Sequence, residues 1–354
     1  MNRTLSSSVL RAVSSVAAAA VVTLLLPWSA VAQELNVSSG EHDVHILVPP
    51  HKAADLNYKI NAYLGGAAGP PLTYHGGPVM TNATTYAIYW IPSKLQNGGA
   101  TGVSSSYENI TEALLNLYPG HGLDNNNTQY YQSSRVGFLW FTNYIQNSGG
   151  LTAAYVDTDP YPASGCTDAY TPGNCLTDAQ IQAEIQKVMT AKGWTGGINK
   201  MFMMFTSSGE GSCSGIYCAY SDYCAYHSYF NVGTTPVIYG NIPYANPAWC
   251  QVPGTPSPNG DAAGDAAANV VSHELTEAIT DPELNAWYGG DLSHEIGDLC
   301  AWQYGTNTWD SGNANQSWPV SFSPFILFGH PQVSAFELQL EYDNHASSCV
   351  QLGP

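Results

Sequence analysis

Eight cysteines (Cys166, Cys175, Cys213, Cys218, Cys224, Cys250, Cys300 and Cys349) all lie behind an N-terminus that reads as a leader. Arg3 and Arg11 give that leader a positive start, an apolar stretch runs from Val16 to Leu26, and Ala30-Val31-Ala32 is a small-x-small cleavage signal. Cleavage is expected before Gln33, so residues 1–32 read as a signal peptide. The apolar core is too short for a membrane span and no later stretch is longer, so no membrane association is expected after cleavage. The destination is outside the cytoplasm: secreted or extracellular, at the cell wall, or periplasmic. An even cysteine count in an oxidising compartment reads as a disulfide framework. The pairing stays open. Cys166–Cys175 is the shortest local loop, and Cys300–Cys349 would tie the C-terminus back to the chain. A cysteine zinc site is the weaker alternative, because no pair has C-x-x-C spacing.

Charged residues make up only 10% of the chain, against about 25% in an average soluble protein. That excludes coiled coils and charged disordered tails. The net charge is −18, and loss of the leader leaves 7 basic and 27 acidic residues. Such a surface repels phosphate backbones and anionic lipid, so no nucleic-acid partner is expected. It is compatible with hard cations.

Residues 33–71, ending in Gly65-Gly66-Ala67-Ala68-Gly69-Pro70-Pro71, read as a flexible arm and linker, with the folded domain over 72–354. Strand signals occur at Thr84–Ile91, Val136–Phe141, Met201–Thr206 and Pro236–Gly240. Helical periodicity covers Tyr107–Tyr118, Thr177–Trp194 (with Thr177 and Gln180 forming a capping box) and Ala262–Thr280. This order predicts one large α/β or α+β domain around a central sheet.

The sharpest chemistry lies on the last helix, in Ser272-His273-Glu274-Leu275-Thr276-Glu277. His273 and Glu277 stand four apart on one helical face, where both can reach one metal ion. Glu274 beside them would act as general base on a metal-bound water, the logic of H-E-x-x-H peptidases with Glu277 in place of the second His. Glu295 or Asp298, in the segment His294-Glu295-Ile296-Gly297-Asp298, would supply the third ligand. Zn²⁺ fits this zincin-like reading, while two carboxylates also suit Ca²⁺ or Mn²⁺. Other motifs take plainer roles. Tyr74-His75-Gly76-Gly77-Pro78 reads as a turn. Cys224 and His227 do not read as a nucleophile and base, since secreted cysteines are usually paired. Asn259, Asp261 and Asp265 read as loop and cap residues, lacking calcium-loop spacing.

Several blocks resemble the exordium, or phosphate-induced protein 1, family: Tyr74-His75-Gly76-Gly77-Pro78-Val79-Met80, Cys224-Ala225-Tyr226-His227-Ser228, Pro258-Asn259-Gly260-Asp261, Thr280-Asp281-Pro282, Asn285-Ala286-Trp287-Tyr288, and Glu295 through Cys300 with Cys349. The resemblance spans about residues 72–354. It implies a secreted, cell-wall or extracellular protein and supplies no established biochemical activity. His273-Glu274 departs from the plant pattern as a microbial-type member retaining a metal motif would. The resulting expectation is a secreted, disulfide-stapled, metal-dependent hydrolase, a peptidase acting on a peptide or cell-wall polymer. The alternative is a non-catalytic extracellular or wall-associated protein with a structural metal site or none.

Overall fold

The structure is a computed structural model, and it describes residues 44–55, 71–289, 294–306, 314–317, 333 and 335–354. The leader, its cleavage site and most of the 33–71 arm lie outside them. Six strands form the central sheet: β1 (His45–Leu47), β2 (Ala83–Trp90), β3 (Gly149–Asp157), β4 (Lys200–Thr206), β5 (Ala225–Val232) and β6 (Thr235–Ile242). Their spatial order is β1-β5-β6-β4-β2-β3. The four strands β6, β4, β2 and β3 run parallel, while β5 is antiparallel to both its neighbours.

Three long helices cover the sheet: α1 (Tyr107–Leu117), α2 (Asp178–Lys192) and α3 (Ala262–Thr280). The chain steps from β2 to β3 through α1, then back to β4 through α2. Parallel crossovers keep one hand, so reversing the direction of travel puts α2 on the opposite face from α1. α3 returns to the α1 face and packs along α1, β5 and β6. Strand β4, Lys-Met-Phe-Met-Met-Phe-Thr, is buried from Met201 onward, as expected of a parallel strand with helices on both sides.

The local signals behind these elements are visible. Thr177 accepts from the Gln180 N–H while the Gln180 side chain accepts from the Thr177 N–H, completing the capping box of α2. Gly193 closes that helix in the left-handed conformation. Asp261 caps α3 through the Gly264 N–H at 3.1 Å. Asp265 accepts from Ser257 and Asn259, so this cluster serves the loop and cap. The Tyr74–Pro78 segment is a turn, with the Tyr74 hydroxyl donating to the Gly77 carbonyl.

Two expectations need correction. Residues 44–48 are not part of a free arm: β1 pairs with β5 in the register His45↔His227, Ile46↔Tyr226 and Leu47↔Ala225, and Val44 through Val48 are buried. The run Val44-His45-Ile46-Leu47-Val48 is apolar enough to serve as an edge strand, which Gly- and Pro-rich neighbours obscured. The Val136–Phe141 segment is not one strand but the tip of a hairpin, Tyr131–Val136 paired with Leu139–Tyr144. Gly137 turns the chain there with φ of 63°.

All eight cysteines are paired: Cys166–Cys175, Cys213–Cys218, Cys224–Cys250 and Cys300–Cys349. The two expected staples are present, and a cysteine zinc site is replaced by disulfides. No helix of the described residues is long and apolar enough to cross a membrane.

Candidate metal centre

Helix α3 is central: from Ala263 to Thr280 every residue is buried. Its buried polar side chains therefore need partners inside the protein. Strand alternation supplies some of them. His227 on β5 and its β1 partner His45 lie on the sheet face that α3 covers, with ring centroids 5.5 Å apart. From the other side the turn Glu295–Asp298 lies directly on α3. Gly297 permits this, because a Cβ there would stand 2.7 Å from His273 Nδ1 and 2.9 Å from Glu277 Oε1. The Cys300–Cys349 bond fixes the end of that turn.

The sequence-predicted residues His273, Glu274, Glu277, Glu295 and Asp298 thus come together, all buried. His45 and His227 join them. His45 was missed because its segment read as an arm. His227 was weighed only as a base for Cys224, a role that a paired cysteine excludes. The signal for both was a histidine inside a β-branched or aromatic run, which places it on a buried face.

His227 is held by one nitrogen and presents the other, while His45 meets carboxylates at both. His227 Nε2 faces the Asp281 carbonyl at 3.4 Å. A carbonyl only accepts, so that nitrogen carries the proton. His227 Nδ1 then points its lone pair at Glu274 Oε2, 3.3 Å away, and Glu277 Oε2, 3.7 Å away. His45 Nδ1 meets Glu295 Oε1 at 3.1 Å, and its Nε2 faces Asp298 Oδ2 at 2.5 Å and Glu277 Oε2 at 3.9 Å. Ligating histidines are typically anchored through the far nitrogen by a carboxylate or a carbonyl in this way.

His273 lies one turn from Glu277, as the sequence spacing requires. Gln339 Oε1 accepts from the Trp302 N–H at 3.2 Å, which turns the Gln339 amide nitrogen toward His273 Nδ1. His273 Nδ1 is therefore the acceptor, and Nε2 lies 3.0 Å from Glu277 Oε1 without a hydrogen-bond partner. Glu277 Oε1 accepts from the Asp298 N–H at 3.0 Å. Glu274, expected as a base facing water, stands among the donors.

Two groups within the centre have donor atoms lying within 4.8 Å of one another: His45/Glu277/Asp298 and His227/Glu274/Glu277. Donors of one ion at about 2.0–2.2 Å fall within that range. Several fully buried oxygens around them lack a hydrogen-bond partner: Glu274 Oε1, Glu277 Oε2, Glu295 Oε2 and Asp281 Oδ2.

The electrostatics follow from burial. Desolvation pushes the Glu274, Glu277 and Glu295 carboxyls well above the usual range, and neighbouring carboxylates push them further. Burial also raises Asp298, but the His45 charge outweighs it and holds that carboxyl low. Burial lowers His45, yet Asp298 and Glu277 overcome it and raise the imidazole to about 9. Burial keeps His227 neutral, its pKa well below the ordinary value, with His45 adding to the effect. Without a bound cation these carboxylates can remain buried only by taking up protons.

The family model described as the phosphate-induced protein 1 conserved region matches residues 161–351. That span holds every residue of the centre except His45. Among curated proteins, EXORDIUM-like 3 of Arabidopsis thaliana is 31% identical over 262 residues, covering 66% of this chain and 70% of that protein. EXORDIUM-like 5 of the same plant is 24% identical over 308 residues, covering 78% and 77%. No solved structure matches the chain. The chain belongs to the phosphate-induced protein 1, or exordium, family.

Proposed function

We propose that this is a non-catalytic extracellular exordium-like protein whose core is organised by a bound divalent cation. The observation that carries the reading is His227: its lone-pair nitrogen faces two buried carboxylates that have oxygens without partners. Such a grouping repels itself unless a cation or a shared proton lies between its members. Imidazole with carboxylate suits Zn²⁺ or Mn²⁺. The four disulfides and the leader-like N-terminus support an extracellular setting.

The peptidase reading keeps one observation in its favour, the His273-Glu274 pair on a helix beside the centre. Glu274 is fully buried, which supports the non-catalytic reading, since a general base must reach substrate and water.

The experiment is metal analysis of mature protein purified from culture supernatant without chelator, followed by chelation and peptide-cleavage assays. Stoichiometric Zn²⁺ or Mn²⁺, a lower Tm after chelation and no cleavage by the loaded protein are expected. Protein that holds no metal after add-back overturns the reading. Cleavage that is lost in Glu274→Gln establishes the peptidase instead.

A further inference from the structure

We infer that the centre takes two divalent cations, one held by His45, Glu277 and Asp298, the other by His227, Glu274 and Glu277, with Glu277 bridging the pair. This rests on the proposed metal reading and extends it from a cation to a bridged pair of stated ligands.

Three observations point the same way. The first is geometry. Two separate three-residue donor groups meet the distance condition for an ion, and Glu277 is their common member. Glu277 Oε2 faces both histidines, at 3.9 Å from His45 and 3.7 Å from His227, and has no hydrogen-bond partner. Its other oxygen is already engaged by the Asp298 N–H. A carboxylate held firmly by one oxygen, with the other aimed between two imidazoles, is suited to bridging.

The second is the anchoring of the histidines. His45 Nδ1 is held by Glu295 and His227 Nε2 by the Asp281 carbonyl. Each group therefore has an imidazole of its own: His227 Nδ1 faces Glu274 and Glu277, and His45 Nε2 lies against Asp298, where an ion would take the place of the proton between them.

The third is charge. Glu274, Glu277, Glu295 and Asp298 are four buried carboxylates. One divalent ion offsets two of these four charges and leaves the others in a dry interior, where each is costly. Two ions offset all four, beside Asp281 and Glu341, which are buried there as well.

The test is Mn²⁺ loading of chelated, full-length mature protein, with metal counted after desalting and the bound Mn²⁺ examined by electron paramagnetic resonance. Two ions per chain and an exchange-coupled spectrum are expected. Glu274→Gln empties one position and Asp298→Asn the other, so each variant retains one ion with an uncoupled spectrum. Glu277→Gln loses both. Near-ultraviolet circular dichroism and a thiol count establish that each variant has folded. Should Glu277→Gln fail to fold, the two single-position variants decide the matter alone. A wild type saturating at one ion overturns the pair and leaves the proposed function standing. So does complete loss of metal in Glu274→Gln or Asp298→Asn, which means a single ion with pooled ligands. A wild type that binds none overturns both.

Discussion

The two faces of one sheet are built from alternate residues of the same strands, yet they handle buried polar groups in opposite ways. Tyr226 on β5 and Tyr239 on β6 point to the α2 face. Both hydroxyls donate to Asp178 Oδ1, at 2.7 and 2.6 Å, at the start of α2, where the helix dipole also favours a carboxylate. Around them the packing is aromatic: Tyr86 stacks on Phe202 at 4.9 Å, with Trp194 against both. His227, the next residue on β5, points to the α3 face and into a group of carboxylates. On the α2 face Asp178 is satisfied within the chain, and the unpartnered oxygens of that side, Asp157 Oδ2 and Asn241 Oδ1, lie on separate strands. On the α3 face acceptors exceed donors, and oxygens are left over. A surplus of buried acceptors on a well-packed helix marks the place where something other than the chain completes the structure.

The largest expected effect is on the α3 face. Glu277→Gln removes the residue common to both donor groups, and a broken buried charge cluster costs about 3–5 kcal/mol. The Tm should fall by about 10 °C and metal content should collapse. Calorimetry with elemental analysis checks both. A variant as stable as the parent would mean that Glu277 was not charged and compensated to begin with.

Next come the staples. Cys300 and Cys349 are 49 residues apart and hold the turn that carries Glu295 and Asp298, whereas Cys213 and Cys218 are five apart. On loop-closure grounds, removing the first pair costs about 4 kcal/mol and the second about 2 kcal/mol. Only the first should also weaken metal retention. Denaturant unfolding of the two double-Ser variants, with metal counts, separates the two effects. Equal metal loss in both would undo the claim that the Cys300 staple serves the centre.

A buried acid outside the centre shows what happens without a cation. Asp124 is buried, and burial raises its carboxyl to about 7 although the Asn127 side chain and the Gly120 N–H pull it down. The folded state then binds a proton more tightly than the unfolded state. Its contribution is favourable at acid pH and is lost as pH rises from about 4 to about 7. Asp124→Asn should flatten that part of the stability–pH curve and gain up to about 4 kcal/mol at pH 8, at about 1.4 kcal/mol per unit. Melts from pH 4 to 8 decide it. Parallel curves for the two proteins would show that Asp124 does not titrate in that window.

Gly297 tests the close approach itself. Its missing Cβ leaves space for His273 and Glu277. Gly297→Ala should overpack the turn against α3 by about 1–3 kcal/mol and weaken metal binding. Unchanged affinity by competition with a chromogenic chelator would mean that the turn does not set the position of Asp298.

How much of this was legible in the sequence depended on whether a signal was local. The helix Ala262–Thr280 carries its own cap, period and terminating Pro282, and the structure reproduces its bounds. The capping box of α2 and the apolar run of β4 were equally local. The acidic residues of the centre were legible because His273, Glu274 and Glu277 share a helix and the next segment follows closely. His45 and His227 were not, because β1 and β5 meet across 182 positions and only the register His45↔His227 puts their rings together. Local spacing did not reveal the tautomer of His273. That residue does lie one turn from Glu277, but its tautomer is set by Gln339 and Trp302, more distant in sequence than any helical motif reaches.

The smallest expected effect lies on the α2 face and completes the contrast. Tyr239→Phe removes one of two hydroxyls on Asp178 and leaves Tyr226 in place. A hydrogen bond to a charged acceptor contributes about 1.5–3 kcal/mol, and the remaining tyrosine retains part of the solvation of Asp178, so a loss of about 1 kcal/mol is expected. Tyr239 is separated from the centre by the sheet itself, so metal content and the response to chelation should match the parent. Paired urea titrations of loaded and chelated protein measure this directly. If the variant loses metal as well as stability, the two faces are coupled through β5 and β6, and the aromatic side is part of what positions His227.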